Sequence, residues 1–176
     1  ARHPGRIPAG VVCDSLVSAY DFMPTLLDYL GLKPLDMAKR PGVSFVPALL
    51  GQDFERPGGI VVMDEYGPNR MLRDQRYKYI ARYPYGPNAL YDLKADPGEQ
   101  DNLLAHGGFE ALEQELRGRL EKWFAKYVNP EIDGAREAVF GSGQIGLAGL
   151  WGAGVSAHSC DDYIKKNPNY ALYRVK

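Results

Sequence analysis

The clearest periodic pattern in this 176-residue sequence is an apolar stripe in its second half. The stripe recurs every three or four positions and consists of Phe109, Leu112, Leu116, Leu120, Trp123, Phe124 and Tyr127. Charged side chains fill most positions between these residues, so the pattern predicts one long amphipathic helix. Because such a helix must bury its apolar side against another layer, the aromatic residues are interpreted as core rather than as a ligand site.

Four short runs upstream of the stripe provide the predicted second layer. They are rich in β-branched and aromatic residues and cover Ile60–Met63, Arg70–Arg73, Tyr77–Tyr83 and Leu90–Leu93. Gly, Pro, Asn and Asp separate the runs, which predicts tight turns and an antiparallel meander. The expected fold class is therefore α+β, with a small antiparallel sheet of about four strands packed against a long C-terminal amphipathic helix.

Two shorter helices are predicted before the sheet. Ser18 and Asp21 fit the S-x-x-D form of a capping box. Pro24 suits the first turn of the helix that follows, and Gly31 is a natural stop signal. The apolar residues of this helix fall at helical spacing on one face, and they are Met23, Leu26, Leu27 and Leu30. A second helical turn is expected over Phe45–Leu50.

Residues 128–176 show little hydrophobic period, and residues 141–154 are Gly-rich and apolar. This composition predicts an extended tail that packs on another surface. Residues 141–146 fit G-x-G-x-x-G, and Asp161 lies about 20 residues later, as a dinucleotide-binding fingerprint requires. Only a three-residue strand signal precedes this motif, and Gly149 and Gly152 interrupt the necessary helix, so the dinucleotide interpretation is rejected.

Composition excludes several classes of function. A formal net charge of −1 lacks the basic excess that nucleic-acid binders and membrane-surface proteins need. No apolar stretch approaches the roughly 20 residues that span a bilayer. Cys13 and Cys160 have no C-x-x-C partner and are interpreted as free thiols, although a single bridge would also fit. The scattered histidines, His3, His106 and His158, form no recognisable metal motif.

The acidic pair Asp64 and Glu65 follows a predicted strand directly and precedes a Gly-Pro-Asn turn. An ordinary polar turn at the sheet rim explains this pair, and the residues alone favour that interpretation. Acid–base chemistry would require a substrate held between the two carboxylates. The sequence therefore contains no complete catalytic or metal-binding constellation, which is typical of a non-catalytic part of a larger enzyme.

The order of the motifs resembles that of formylglycine-dependent sulfatases of the alkaline phosphatase superfamily. Residues 17–31 resemble the family segment V-S-x-x-D-L-x-P-T-L-L-D-L-A-G, and residues 41–51 resemble G-x-S-L-x-P-L-L-x-G. Residues 70–80 are similar to R-x-V-R-T-x-R-Y-K-Y-I, and residues 90–103 to L-Y-D-L-x-x-D-P-x-E-x-x-N-L. The resemblance extends from residue 3 to about residue 127.

This resemblance implies that residues 1–127 form a sulfatase C-terminal subdomain, with the end of the preceding domain at 1–31, and that residues 128–176 form the tail. The chain lacks an initial Met, and we expect an N-terminal catalytic domain to precede it as its partner. Calcium and formylglycine are implied for that intact enzyme, with a sulfated small molecule or sugar as substrate. Neither Cys13 nor Cys160 lies in the C-x-P-S-R motif of the nucleophile, so no cofactor is expected in this chain.

The resemblance also implies a pocket wall. In the sulfamidase branch, the segment similar to residues 64–71 carries His-Glu and borders the substrate; Glu65 aligns with that Glu, and Asp64 replaces the His. Asp64, Glu65, Asn69 and Arg70 are therefore candidates for substrate binding. Two other interpretations stay open: the same subdomain of a phosphodiesterase or phosphonate hydrolase, and a stand-alone binding or assembly module.

The chain by itself is predicted to release no sulfate from an aryl sulfate, with or without added calcium, because it lacks the nucleophile motif and the metal ligands. Release of the phenol, followed by absorbance, checks this expectation, with an active arylsulfatase as the positive control. Measurable turnover by the 176-residue chain would contradict the division between a catalytic and a supporting part.

Overall fold

The computed structural model describes residues 1–33, 36–64, 69–83 and 87–133. The chain divides into two compact units, Ala1–Ile60 and Val61–Lys176. The Gly-rich tail and its G-x-G-x-x-G motif lie outside the described residues, and so does Glu65. Within the described ranges, no helix is both long and apolar enough to cross a bilayer.

The first unit contains two helices near their predicted positions, α1 at Phe22–Tyr29 and α2 at Val46–Leu49. A 3₁₀ turn at Ala19–Asp21 leads into α1. The helix ends in a Schellman motif, because Gly31 adopts a φ of +65° and its amide donates to the Asp28 carbonyl at 3.0 Å. Gly31 is therefore the stop signal that the sequence predicts.

The centre of the first unit is polar. Asp21 is fully buried, and its carboxylate accepts hydrogen bonds from the amides of Ser18 at 2.7 Å and Val43 at 2.9 Å. The buried guanidinium of Arg56 forms an ion pair with the same carboxylate. Thr25 adds a hydrogen bond from its hydroxyl to the Asp21 carbonyl at 2.6 Å. The acidic residue predicted to cap a helix thus also joins three segments, because every polar atom buried here needs a partner.

The opposite side of α1 carries apolar side chains that solvent reaches. Phe22 is 63% exposed and Leu30 is 55% exposed, and Met23 and Leu26 lie between them on the helix. The predicted apolar face of this helix is therefore its outer face, while its buried positions, Asp21 and Thr25, are polar. This is the reverse of the usual arrangement of a surface helix.

The second unit is built on a four-stranded antiparallel sheet in the order β1-β2-β3-β4. The strands are β1 at Ile60–Met63, β2 at Asn69–Arg73, β3 at Tyr77–Arg82 and β4 at Ala89–Asp92. Each end of each strand lies within one residue of the end of the predicted run. The sequential order confirms the meander, because each strand pairs with its neighbour in the chain.

Helix α3, Glu110–Tyr127, covers one face of this sheet. Leu72, Tyr79 and Leu90 stand opposite one another in the register of β2, β3 and β4. They pack against the fully or nearly fully buried side chains of α3, which are Leu116, Leu120 and Phe124. This arrangement confirms the predicted α+β fold, since the apolar stripe lies on the sheet.

Asp74 joins the turn between β2 and β3 to α3. Its carboxylate accepts hydrogen bonds from the amides of Arg76 at 3.0 Å and Tyr77 at 2.8 Å, and it pairs with Arg119 at 2.8 Å. Burial pushes the pKa of Asp74 upward, but these donors outweigh that effect and hold its pKa below the ordinary value.

Replacement of Asp74 by Asn is predicted to lower the free energy of unfolding by about 1 kcal/mol at pH 7. Because the pKa is depressed in the folded state, the carboxylate stabilises the fold above its unfolded-state pKa of about 4. This contribution is lost as the pH falls through the lower folded-state value. The difference in the free energy of unfolding between the unaltered chain and Asp74→Asn, measured by urea unfolding, should therefore be smaller near pH 2 than at pH 7. Asp14→Asn, at an exposed site, is the control, and an equal difference at both pH values would contradict the assignment.

Candidate functional site

Asp64 and Asn69 meet where β1 turns into β2. The Asn69 side-chain amide donates to Asp64 Oδ2 at 2.5 Å, and the Asp64 amide donates to the Asn69 carbonyl at 3.0 Å. Asn69 Oδ1 is buried and has no hydrogen-bond partner among the described residues. The structure therefore brings together two of the four candidate residues, while Glu65 lies outside the described ranges.

Arg70 lies beside Asn69 in the sequence but points to the opposite face of the sheet. Its guanidinium lies 3.8 Å from the centre of the Phe124 ring and 5.0 Å from that of Tyr83. It also forms an ion pair with Asp133, just after α3. Arg70 is 5% exposed, and this burial lowers its pKa, an effect that Tyr83 and Asp64 oppose. Arg70 therefore connects the sheet, α3 and the segment beyond α3.

Sequence reasoning missed Asp133 and the aromatic partners of Arg70. Asp133 is 63 residues from Arg70 in the sequence and belongs to no motif, so no local signal identifies it. Phe124 and Tyr83 were recognised as core and strand residues, but a cation–π contact between distant residues has no signature in a single sequence.

Asp92 belongs to the family-like motif of residues 90–103, and its carboxylate holds a turn of the chain in place. Arg76 donates to Asp92 Oδ2 through Nε at 3.0 Å and through Nη2 at 2.8 Å. The amides of Lys94 and Ala95 donate to Asp92 Oδ1 at 3.1 and 3.3 Å. The Arg76 side-chain hydrogen bond is the main reason that the pKa of Asp92 lies below its ordinary value. These contacts join the start of β3 to the end of β4.

The next part of the same motif holds the loop after β4. Lys78 Nζ lies 2.5 Å from Glu99 Oε2, and Glu99 adopts a φ of +55°, which is rare outside glycine. Asn102 Oδ1 accepts hydrogen bonds from the amides of Leu90 at 3.0 Å and Leu104 at 3.2 Å. The motif residues thus stabilise turns and strand ends, which explains the pattern without catalysis.

A partly buried polar network lies between the sheet and the start of α3. Glu113 Oε1 accepts a hydrogen bond from Tyr79 at 3.2 Å and from Asn88 at 2.9 Å. Burial, assisted by the charge of Glu113, raises the pKa of Tyr79, which therefore stays neutral and donates its hydroxyl proton. This network contributes specific packing rather than a proton-transfer site.

The donor set of the described residues does not fit a calcium site or a formylglycine nucleophile. Within those ranges, His, Cys, Asp and Glu form no group of three that could hold a metal ion. Cys13 is a free thiol on the surface, followed by Asp14 and Ser15 rather than by the nucleophile motif. His3 contacts Tyr29 at 2.6 Å and His106 contacts Asp101 at 2.6 Å, each in an exposed pair.

Together, the meander covered by α3 and the motif residues that hold its turns define a supporting α+β subdomain. The family model described as "N-sulphoglucosamine sulphohydrolase, C-terminal" matches residues 1–126. The chain therefore belongs to this family of sulfatase C-terminal domains, as its motif order predicts.

Known proteins with related sequences and structures agree with this assignment. An "Ulvan-active sulfatase" of Formosa agariphila is 30% identical, over 70% of this chain and 32% of that protein. The structure of "a 2-O GAG sulfatase" is 33% identical with a TM-score of 0.51, over 60% of this chain and 24% of the other. A structure described "in complex with its substrate D-Glucosamine-2-N, 6-O-disulfate" is 25% identical with a TM-score of 0.51, over 64% and 25% of the two chains. The chain spans about a quarter to a third of the length of these proteins.

Replacement of Arg70 by Lys is predicted to lower the free energy of unfolding by about 2 kcal/mol, because an ammonium group cannot stack on Phe124 and pair with Asp133 in the same way. Denaturant unfolding measures the effect. Arg73→Lys, on an exposed side chain of the same strand, is the matched control and should change stability by less than about 0.5 kcal/mol. Equal stability of the two variants would show that Arg70 is not a structural anchor.

Proposed function

We propose that this chain is the C-terminal part of an enzyme that hydrolyses a sulfate ester or sulfamate of a sugar. The match of the sulfatase C-terminal family model to residues 1–126 carries this proposal. The names of the related proteins, which include an ulvan-active sulfatase and a GAG sulfatase, support a sulfated carbohydrate as the substrate class. In this division of labour the chain supports the fold and contributes part of the substrate pocket.

The exposed apolar side of α1 supports the presence of a catalytic domain as partner. Phe22, Met23, Leu26 and Leu30 are all more than 40% exposed. Apolar surface in contact with water costs roughly 25 cal/mol per Å², so a continuous row of such residues favours burial against another surface. We propose that the catalytic domain covers this row in the intact enzyme.

The turn between β1 and β2 is the proposed pocket wall, with Asp64, Glu65, Asn69 and Arg70 as its residues. Carboxylate oxygens accept hydrogen bonds, so Asp64 and Glu65 suit the hydroxyl groups of a sugar better than its anionic sulfate. The hydrogen bond from Asn69 makes that residue a positioning residue for Asp64. Arg70 acts from the opposite face by holding the same strand against α3.

The nucleophile and the metal are assigned to the rest of the enzyme. A hydrated formylglycine would supply the oxygen that attacks sulfur, and calcium would neutralise the charge of the sulfate. Because the described residues fit neither group, no chemical step is assigned to this chain.

Activity of the longer protein tests the proposed reaction. The complete gene product should release sulfate from a sulfated oligosaccharide and from an aryl sulfate, measured by ion chromatography. Hydrolysis of a phosphonate monoester or a phosphodiester in preference to both substrates would favour the other branch of the superfamily. Absence of all these activities, with a folded protein, would favour a binding or assembly module.

In that longer protein, Asp64→Asn is predicted to raise KM for the sulfated oligosaccharide about tenfold, because a hydrogen bond to a charged acceptor is lost. KM for the aryl sulfate should change less than twofold, since that substrate has no sugar hydroxyls. Asp14→Asn is the control for a change of charge. An equal effect of Asp64→Asn on both substrates would show that this carboxylate does not recognise the sugar.

A further inference from the structure

The face of the sheet opposite α3 carries a row of cationic and aromatic side chains. Arg73 of β2 stands opposite Lys78 of β3, and Lys78 stands opposite Tyr91 of β4. Side chains alternate along a strand, so this row lies on the other face from Leu72, Tyr79 and Leu90, which contact α3. We refer to Arg73, Lys78 and Tyr91 as the cationic row.

Two like charges stand directly opposite each other in this row. Cross-strand partners have Cβ atoms about 5 Å apart, so Arg73 and Lys78 repel each other. Glu99 neutralises Lys78 at 2.5 Å. Arg73 is exposed and forms no ion pair or side-chain hydrogen bond with the described residues. The charge of Arg73 is therefore uncompensated within the described part of the chain, and a bound anion would compensate it.

A further cation lies on the same face near the other end of the sheet. Arg82 stands opposite Asn69 and donates to the Pro87 carbonyl at 2.5 Å. Because Lys78 and Arg82 are four residues apart on β3, they are separated by about 13 Å. The half-buried pair of Met71 and Ile80 lies between these two positions.

The charges on this face are unevenly distributed. Three cations, Arg73, Lys78 and Arg82, lie on it, and Glu99 is the carboxylate bound to the cationic row. Asp64 is at the far corner, hydrogen-bonded to Asn69. With both carboxylates counted, this face has one more cation than anions, whereas the whole chain has a formal net charge of −1.

We propose that this face binds a sulfated polysaccharide chain that extends from the proposed pocket wall at Asn69 along β2 to Arg73. Arg73 and Lys78 would contact one sulfate, Tyr91 would pack against a sugar ring, and Arg82 would meet a later anionic group. The guanidinium fork suits sulfate oxygens as it suits those of phosphate. The formal net charge of −1 lacks the basic excess that nucleic-acid binders need, so a sulfated sugar suits this face better than a nucleic acid.

This inference rests on the proposed function, because it takes the substrate to be part of a sulfated polymer. The Arg73 end of this face lies about 13 Å along β2 from Asn69, so it would hold the polymer beyond the proposed pocket wall and raise the local concentration of its sulfated ends. A change at Arg73 would affect a sulfated polymer and leave a short sulfated sugar unchanged, whereas a change at the proposed pocket residue Asp64 would affect both.

Binding by the full 176-residue chain tests the proposal. Titration calorimetry with heparin octasaccharides at low and moderate salt should show binding, and chemically desulfated octasaccharides should bind at least tenfold more weakly. Arg73→Glu should weaken binding of the sulfated octasaccharide about tenfold. Lys122→Glu makes the same change of charge at an exposed position on α3 and should change binding less than twofold.

Two further variants distinguish loss of a specific contact at Arg73 from unfolding and from a general change of charge. Arg73→Gln removes the charge without reversing it and should weaken binding about threefold to fivefold, while Arg73→Lys should retain most of it. Circular dichroism establishes that each variant is folded. Equal loss in Arg73→Glu and Lys122→Glu, or equal affinity for the desulfated sugar, would overturn the proposal.

The binding assay requires no turnover, so its result is independent of the proposed reaction. If the chain binds the sulfated sugar through Arg73 but the longer protein releases no sulfate, the proposed function is contradicted and this surface is not. Sulfate release by the longer protein, combined with no effect of Arg73→Glu on binding, would contradict this surface alone.

Discussion

The second unit depends on one packing interaction, the burial of a cross-strand row under α3. Leu72, Tyr79 and Leu90 come from three strands, and they share one layer because the register of the meander aligns them. Leu120 of α3 is fully buried in that layer. A small sheet alone is only marginally stable, so this sheet depends on its burial under α3. Because that burial holds the strands together, residues in the turns can serve other roles, such as the proposed pocket wall.

Polar contacts then fix how the sheet and the helix meet. Asp74 ties the turn between β2 and β3 to Arg119, and Arg70 ties the start of β2 to Phe124 and Asp133. Removal of one partner from a buried ion pair leaves the other charge unpaired, so these contacts hold the sheet and the helix in one arrangement. The proposed pocket wall at Asp64 and Asn69 follows directly on β1 and begins β2, so its position depends on these anchors.

Prediction from sequence succeeded where the signal is local and failed where partners are distant. The four strands, the three helices and the stop at Gly31 follow from periodicity and turn residues, and the structure confirms them. The apolar side of α1 was also predicted, but its exposure was not, because burial depends on what packs nearby. The roles of Asp64, Glu65, Asn69 and Arg70 as substrate ligands stay predictions, and Glu65 lies outside the described residues.

The sequence by itself determined the fold class and the family, because the strand runs, the helical stripe and the ordered motifs are all properties of neighbouring residues. Only the tertiary structure decided that Arg70 faces inward to Phe124 while Arg73 faces outward beside Lys78. Both are arginines three positions apart on one strand, and alternation places them on opposite faces. Which face α3 covers is set by long-range packing, and that choice made one arginine an anchor and exposed the other.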